Sequence, residues 1–184
     1  MEPAADLRER NLGTVFDAIL DHDGDGVITA GDFAQLAAGV CEQLGIPDGP
    51  RAVAVRAGYQ SWWGQLSATC DRDGDGRITR AEFTTAHLAG QGDPDAYYRQ
   101  QFGSLAAILA GAMDADGDGL IEQAEYVRLF RVAQVSDQVV LAGFARLDQD
   151  GDGRISTQEF QAGAAHVFLS QDPADPGTGM LGLA

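Results

Sequence analysis

Apolar residues recur every three to four positions along most of the chain, which is the spacing of amphipathic helices. The first such segment covers residues 6–20 and carries Leu12, Phe16 and Leu20 on one face. The longest covers residues 51–70. The other segments have the following apolar sets: Phe33, Leu36, Ala37, Val40 and Leu44; Phe83 and Leu88; Tyr98, Phe102, Leu105, Ile108 and Leu109; Tyr126, Val127 and Phe130; Val139, Val140, Phe144 and Leu147; Phe160, Val167 and Phe168. The pattern predicts an all-α protein.

Two Gly- and Pro-containing breaks interrupt this helical pattern. The first covers residues 45–50 and the second covers residues 90–94. In the second break, Asp93 is a suitable N-cap and Pro94 suits the first helical position. From residue 172 the chain is rich in Pro and Gly and has no helical periodicity, so we expect residues 172–184 to form a tail.

Four polar stretches between the predicted helices share one pattern. They cover residues 21–32, 71–82, 114–125 and 148–159. Each has Asp at positions one, three and five, Gly at positions four and six, Ile at position eight and an acid at position twelve, and an aromatic residue follows. This is the spacing of an EF-hand calcium loop, in which the glycine at position six permits a sharp turn. A single match could be an acidic surface loop, whereas four full matches predict metal sites.

The crowding of acids in each stretch favours a bound cation. Carboxylates a few ångströms apart repel one another by about 4 kcal/mol per pair at a surface-like dielectric, so only a hard, oxygen-seeking cation makes the arrangement favourable. We predict up to four Ca²⁺, with carboxylate ligands at positions one, three, five and twelve and a backbone carbonyl at position seven. Glu122, at position nine of the third loop, would bind directly or through a water. The predicted ligands are Asp21, Asp23, Asp25, Val27 and Asp32; Asp71, Asp73, Asp75, Arg77 and Glu82; Asp114, Asp116, Asp118, Leu120 and Glu125; and Asp148, Asp150, Asp152, Arg154 and Glu159.

The loops should associate in pairs, because a single loop leaves its short strand unpaired. We predict two small antiparallel bridges, with Ile28 opposite Ile78 and Ile121 opposite Ile155. Each pair then forms a four-helix lobe. The expected division of the chain is residues 1–90 for the N-terminal pair, residues 91–171 for the C-terminal pair and residues 172–184 for the tail.

The acid at position twelve has a second predicted role at the start of the following helix. A hydroxyl residue three positions before an acid is the spacing of a capping box. The pairs with this spacing are Thr79 with Glu82, Ser156 with Glu159 and, in a weaker version, Thr29 with Asp32.

The net charge of −16 is explained mainly by the predicted metal sites. More than half of the 28 acidic residues lie in the four loops, and four Ca²⁺ would bring the charge to about −8. This acidity argues against nucleic acid and anionic membranes as partners. All 12 basic residues are Arg, a usage that fits a GC-rich, bacterial genome.

The remaining composition predicts a cytoplasmic protein. The N-terminal residues lack the apolar region of a signal peptide, and no apolar run approaches the ~20 residues of a membrane span. The two cysteines, Cys41 and Cys70, have no metal-type spacing and are expected to be reduced thiols in the core.

The loop motifs identify an EF-hand protein, and their distribution resembles one branch of that family. The loops begin at residues 21, 71, 114 and 148, so the gaps shorten from 50 to 43 to 34 residues. Together with the aromatic-rich helices, this resembles the sarcoplasmic calcium-binding proteins, including calerythrin and its bacterial relatives. The resemblance implies four EF-hands in two paired lobes packed into one compact body, with calcium buffering as the main role. That family often has one degenerate loop, whereas all four loops here look competent. We expect a monomer.

Several functions fit four such loops. The first hypothesis is a calcium buffer or transport protein, because Met is too scarce for the Met-rich target groove of sensors such as calmodulin. The alternative is a sensor that changes shape to regulate a protein partner. An enzyme is not predicted, since each D-x-D-G follows a helical segment and no strand precedes it as in aspartate-nucleophile phosphatases. The Pro-containing tail also resembles that of light-emitting photoproteins, whose chromophore pockets need particular His, Trp and Tyr residues along several helices. This chain has only His22, His87 and His166, and its last helix has Phe168 but no Trp or Tyr, so a chromophore pocket is not expected.

Three finer expectations concern particular residues. Asp32 is the only aspartate among the closing acids, and its shorter side chain should leave about six ligands at the first site, which suits Mg²⁺. Trp62 and Trp63 should lie in the core near the interface between the lobes. The apolar tail residues Met180, Leu181 and Leu183 should cover part of that core.

Overall fold

The computed structural model describes residue 9 and residues 12–89, 94–130 and 137–169. These residues form eight helices: α1 over residues 12–20, α2 Ala30–Gln43, α3 Pro50–Cys70, α4 Arg80–Leu88, α5 Pro94–Met113, α6 Gln123–Phe130, α7 Asp137–Leu147 and α8 Thr157–Leu169. They also form four short strands: β1 Val27–Ile28, β2 Ile78–Thr79, β3 Leu120–Glu122 and β4 Arg154–Ser156. The prediction of an all-α protein is therefore confirmed.

The strands join the four polar loops in two antiparallel pairs. β1 pairs with β2 so that Ile28 lies opposite Ile78, and β3 pairs with β4 so that Ile121 lies opposite Ile155. All four isoleucines are fully buried. These pairings confirm the predicted register. The register has a simple cause, since the isoleucine at position eight is apolar and faces the core of its loop pair.

Local sequence signals end the helices next to the loops and breaks. At the end of α2, Gly45 has a φ of 63°. Its N–H donates to the carbonyl of Glu42, and the N–H of Ile46 donates to that of Cys41. This is a Schellman arrangement, which satisfies carbonyls left unpaired at a helix end. Pro50 then occupies the start of α3, where its missing N–H has no cost.

The two halves of the chain pack on each other through their long helices. Helix α3 packs against α2 of the first half and against α5 of the second half, and α5 also packs against α8. The aromatic residues that follow the closing acids enter this core and are all buried: Phe33, Phe83, Tyr126 and Phe160. The predicted compact body of paired EF-hand lobes is thus present.

Trp62 lies where the halves meet. It is 7% exposed and, with Leu105 and Ile108, lines a cavity of about 290 Å³ between α3 and α5. Trp63 is only partly buried, and the centroid of its ring lies 5.6 Å from that of Phe33. The expectation for Trp62 is confirmed, while Trp63 lies at the edge of the core.

The remaining predictions concern Leu88, the two cysteines and positions near the ends of the helices. Leu88, expected on an apolar face, is 38% exposed at the end of α4. Cys41 and Cys70 are free and buried, as predicted. Asp93, the tail 172–184 and the side chains of several predicted core positions lie outside the described residues: Tyr98, Phe102, Val139, Val167 and Phe168. Among the residues that are described, no helix has the length and apolar character needed to cross a membrane.

Candidate metal sites

Each polar loop is wrapped around the side chain of its first aspartate. In the first loop, Asp21 accepts hydrogen bonds from the N–H groups of Asp25 at 3.0 Å and Gly26 at 2.9 Å. Gly26 has a φ of 88°, a conformation that costs a side-chain residue energy. The same bond to the glycine at position six recurs in the other loops: Gly76 to Asp71, Gly119 to Asp114 and Gly153 to Asp148. The turn therefore aims the first carboxylate inward.

Carboxylates converge in all four loops. In each, three carboxylate oxygens lie within 4.8 Å of one another. The converging residues are Asp21, Asp23 and Asp25; Asp71, Asp73 and Glu82; Asp114, Asp116 and Asp118; and Asp148, Asp150 and Glu159. Twelve of the twenty predicted ligands are thus brought together by the fold.

The remaining predicted carboxylates lie outside these clusters. In loops one and three, the acid outside the cluster is the closing acid, Asp32 or Glu125. In loops two and four, it is the aspartate at position five, Asp75 or Asp152. The position-seven residues Val27, Leu120 and Arg154 begin strands β1, β3 and β4, and Arg77 directly precedes β2. Position seven therefore lies at the start of a paired strand or directly before it in all four loops.

The closing acids connect the two ends of their loops. One oxygen of Glu82 accepts the N–H of Arg72, and the other accepts the N–H of Thr79 and its hydroxyl. Equivalent bonds hold Asp32, Glu125 and Glu159. In three loops the hydroxyl residue also forms the predicted capping box with the acid. The box at Thr29 and Asp32 is complete rather than weaker, because Asp32 reaches the N–H of Thr29 at 2.8 Å.

Hydrogen bonds lower the pKa of three of these carboxyl groups. Burial would raise the pKa of Asp114, but the N–H groups of Gly119 and Gly117 donate to it and the pKa falls below its ordinary value. The backbone and hydroxyl of Thr79 likewise lower the pKa of Glu82. For Glu159, burial acts to raise the pKa, and the bonds from Ser156 outweigh it. In loops two, three and four, these bonds therefore favour the charged form of one carboxylate each.

Three arginines make contacts that sequence reasoning did not identify. Arg77 lies 3.9 Å from Asp25, and Arg154 lies 3.2 Å from Asp118, so each crosses from one loop to the other loop of its pair. Arg51, at the start of α3, donates to the carbonyls of Ala112 at 2.9 Å and Gly111 at 3.3 Å. The sequence held a signal for the contacts of Arg77 and Arg154, because an arginine occupies position seven of the second loop in each pair.

The donor chemistry of the loops fits a hard divalent cation. The converging atoms are carboxylate oxygens, without the Cys or His donors that softer metals favour. Ca²⁺ accepts six to eight such oxygens in a flexible geometry, so it suits these loops.

Comparison with known proteins supports this assignment. A model of the EF-hand domain pair matches residues 111–165, and an EF-hand model matches residues 70–87. No curated protein sequence matches the chain.

Several solved structures resemble the protein over nearly its whole length. A calcium-binding protein of Streptomyces coelicolor, described in a study of prokaryotic calcium-mediated regulation, is 31% identical, with 88% of this chain and 97% of that chain covered and a TM-score of 0.78. A sarcoplasmic calcium-binding protein from amphioxus is 20% identical, with 96% and 97% covered and a TM-score of 0.75. The coelenterazine-binding protein of Renilla muelleri is also 20% identical, with 99% and 98% covered and a TM-score of 0.74.

Proposed function

Because this chain belongs to the EF-hand calcium-binding proteins and has the fold of their sarcoplasmic members, we propose that it is a calcium buffer with up to four sites. The observation that carries the proposal is the convergence of three carboxylates in every one of the four loops. Four such sites in one chain would give a high capacity for calcium per molecule.

The proposed ligands follow the loop positions. Positions one, three, five and twelve supply carboxylates, and position seven supplies a backbone carbonyl. Glu122 adds a ligand at position nine of the third loop, directly or through water. The proposed set is Asp21, Asp23, Asp25, Val27 and Asp32; Asp71, Asp73, Asp75, Arg77 and Glu82; Asp114, Asp116, Asp118, Leu120 and Glu125; and Asp148, Asp150, Asp152, Arg154 and Glu159.

The distribution of apolar surface favours a buffer over a sensor. Among the described residues, the large apolar side chains that are exposed are Val53, Leu88 and Leu141, and they lie on three different helices. The helices that connect the loops also pack on one another, because α3 contacts α2 in the first half and α5 in the second. A sensor would need to open this packing to expose a target surface.

A sensor remains the second candidate, and one comparison favours it. The Streptomyces coelicolor protein, the relative at 31% identity, is described in the context of calcium-mediated regulation. If this chain acts in the same way, calcium should change the surface that it presents to a protein partner.

Calorimetric calcium titration, repeated with millimolar Mg²⁺, tests the proposed sites. We expect up to four equivalents of Ca²⁺, with Mg²⁺ competing most at the first site. Melting followed by circular dichroism should show a large stabilisation by calcium over chelator, since a ligand at 100 times its dissociation constant adds about 2.7 kcal/mol per site. Equal melting temperatures would reject the proposal.

Dye binding by exposed apolar surface separates the two candidates. A buffer should expose the same or less apolar surface with calcium than with chelator, and a sensor should expose more. An increase in dye fluorescence on adding calcium would therefore favour the sensor.

We propose the cellular setting from the composition of the chain. Two buried free cysteines suit a reducing compartment such as the bacterial cytoplasm. The excess of acids opposes binding to nucleic acid and to anionic membranes. We also propose a monomer, without catalytic activity.

A further inference from the structure

Both loop pairs contain the same ion pair between loops. In the first pair, Nη2 of Arg77 lies 3.9 Å from Oδ2 of Asp25. In the second pair, Nη1 of Arg154 lies 3.2 Å from Oδ2 of Asp118. Each arginine occupies position seven of the second loop and each aspartate occupies position five of the first loop. The contact is thus repeated in two halves whose surrounding sequences differ.

In both pairs the arginine comes from the second loop and the aspartate from the first, and the sequence determines this arrangement. Position seven of the first loop in each pair is Val27 or Leu120, and neither can send a charge back to the second loop. In the described part of the chain, Asp75 and Asp152 form no ion pair, although Oδ1 of each accepts the N–H two residues ahead at 2.8 Å. Among the ion pairs of the described residues, only loops one and three therefore receive a cation from their partner loop.

The guanidinium groups share the carboxylates with the loop backbone. Oδ1 of Asp25 accepts the N–H of Val27 at 3.0 Å, which leaves Oδ2 to Arg77. Asp118 is divided in the same way between Leu120 and Arg154. The arginine side chains are about half exposed, so their fields are screened by salt but not abolished.

We propose that Arg77 and Arg154 lower the calcium affinity of the first loop in each pair. A guanidinium beside a ligand carboxylate neutralises part of its charge and repels an arriving dication. The proposal rests on the proposed calcium-binding function and deepens it. The arginines thereby add a difference in local charge between the two sites of each pair.

The substitutions Arg77→Met and Arg154→Met test this, because Met keeps an unbranched apolar stem and removes the charge. Each site can be followed separately by nuclear magnetic resonance through the amide of its position-six glycine. These amides donate to the first aspartate of their own loop: Gly26, Gly76, Gly119 and Gly153. Calcium is titrated at low ionic strength and again in about 0.5 M KCl, where the Debye length falls below about 5 Å.

We expect Arg77→Met to lower the calcium concentration that half-saturates Gly26 by roughly three- to tenfold at low salt. Arg154→Met should do the same for Gly119. Gly76 and Gly153 should change less, and both differences should shrink in KCl. Arg77→Lys, which keeps the charge, should remain close to the wild type.

The matched control is Arg56→Met, which removes an arginine of similar exposure that pairs with Asp48 away from the loops. Equal effects from this control, or no change at Gly26 and Gly119, would overturn the inference while leaving calcium binding intact. A weaker first loop after Arg77→Met would also overturn it, because the arginine would then be holding Asp25 in place for the ion. If no glycine amide of the wild type responds to millimolar calcium, the proposed function itself is wrong.

Discussion

The closing residue of the first loop differs from its three counterparts by one methylene. Asp32 is 1% exposed, and its two oxygens accept bonds from His22 and Thr29 at opposite ends of the loop. It lies outside the carboxylate cluster of its loop, but so does Glu125, which has the longer side chain. Length alone therefore does not determine which acids converge, although it limits how far Asp32 can extend toward an ion.

We predict that Asp32→Glu raises calcium affinity at the first site by roughly tenfold and reduces competition by Mg²⁺, because a second oxygen can then reach the ion. Titration followed at Gly26 measures the change. The reciprocal control is Glu82→Asp, which should weaken the second site and make it more tolerant of Mg²⁺. An unchanged titration of Asp32→Glu, or a first site that already fills first in the wild type, would contradict the prediction.

At the scale of single elements, helix α4 begins at a capping box that is also part of a metal site. Thr79 donates to Glu82 and accepts its N–H at 3.3 Å. We predict that Thr79→Ala destabilises the protein by about 1 kcal/mol, the usual effect of losing such a cap. Chemical denaturation in chelator measures it, so that calcium binding does not mask the difference.

Thr85→Ala is the control, since Thr85 lies on the exposed side of the same helix. The pH dependence gives a second check. The pKa of Glu82 is lowered in the folded state. The charged side chain of Glu82 therefore stabilises the fold above its ordinary pKa of 4.5, and this stabilisation is lost as the pH falls through the lowered pKa of the folded state. The effect of Thr79→Ala should accordingly shrink toward acid pH, and an effect that grows there would contradict this account.

Helix α3 also joins one half of the chain to the end of α5. Its Arg51 donates to two carbonyls in the last turn of α5, where a cation is favoured by the helix dipole. We predict that Arg51→Met lowers the free energy of unfolding by about 1 kcal/mol, measured by denaturant unfolding. Arg56→Met, five residues along α3, should have less effect because its ion pair with Asp48 is exposed.

The elements illustrate which features sequence can predict. The loops, the buried isoleucine pairs and the capping boxes follow from contacts between residues at fixed positions of a repeated motif, so their register was predictable. The bonds of Arg51 and the pairs from Arg77 and Arg154 join residues 36 to 61 positions apart. They depend on how the helices and loops are placed relative to one another, which hydrophobic periodicity does not specify.

At the scale of the whole molecule, the association of the two halves depends on a close approach of α3 and α5. Gly58 lies on the contact face of α3, and a Cβ built there would lie 2.8 Å from Cδ1 of Ile108 and 3.5 Å from Cδ1 of Leu105. Both atoms are tips of flexible side chains, so Gly58→Ala should be tolerated, helped by the higher helix propensity of Ala. A larger side chain would have to displace Ile108 further or enter the cavity that Gly58 lines together with Trp62.

We predict that Gly58→Leu costs about 1–3 kcal/mol through overpacking and moves the halves apart. Gly64→Leu is the matched control, because a Cβ at Gly64 meets nothing within 4 Å and the change should be neutral or stabilising. Denaturant unfolding measures the cost, and solution scattering in calcium should show a larger radius of gyration only for Gly58→Leu. Equal behaviour of the two variants would mean that the halves are held together elsewhere. Calcium stoichiometry should stay the same in both variants, since the four loops lie at the ends of the helices, away from this contact.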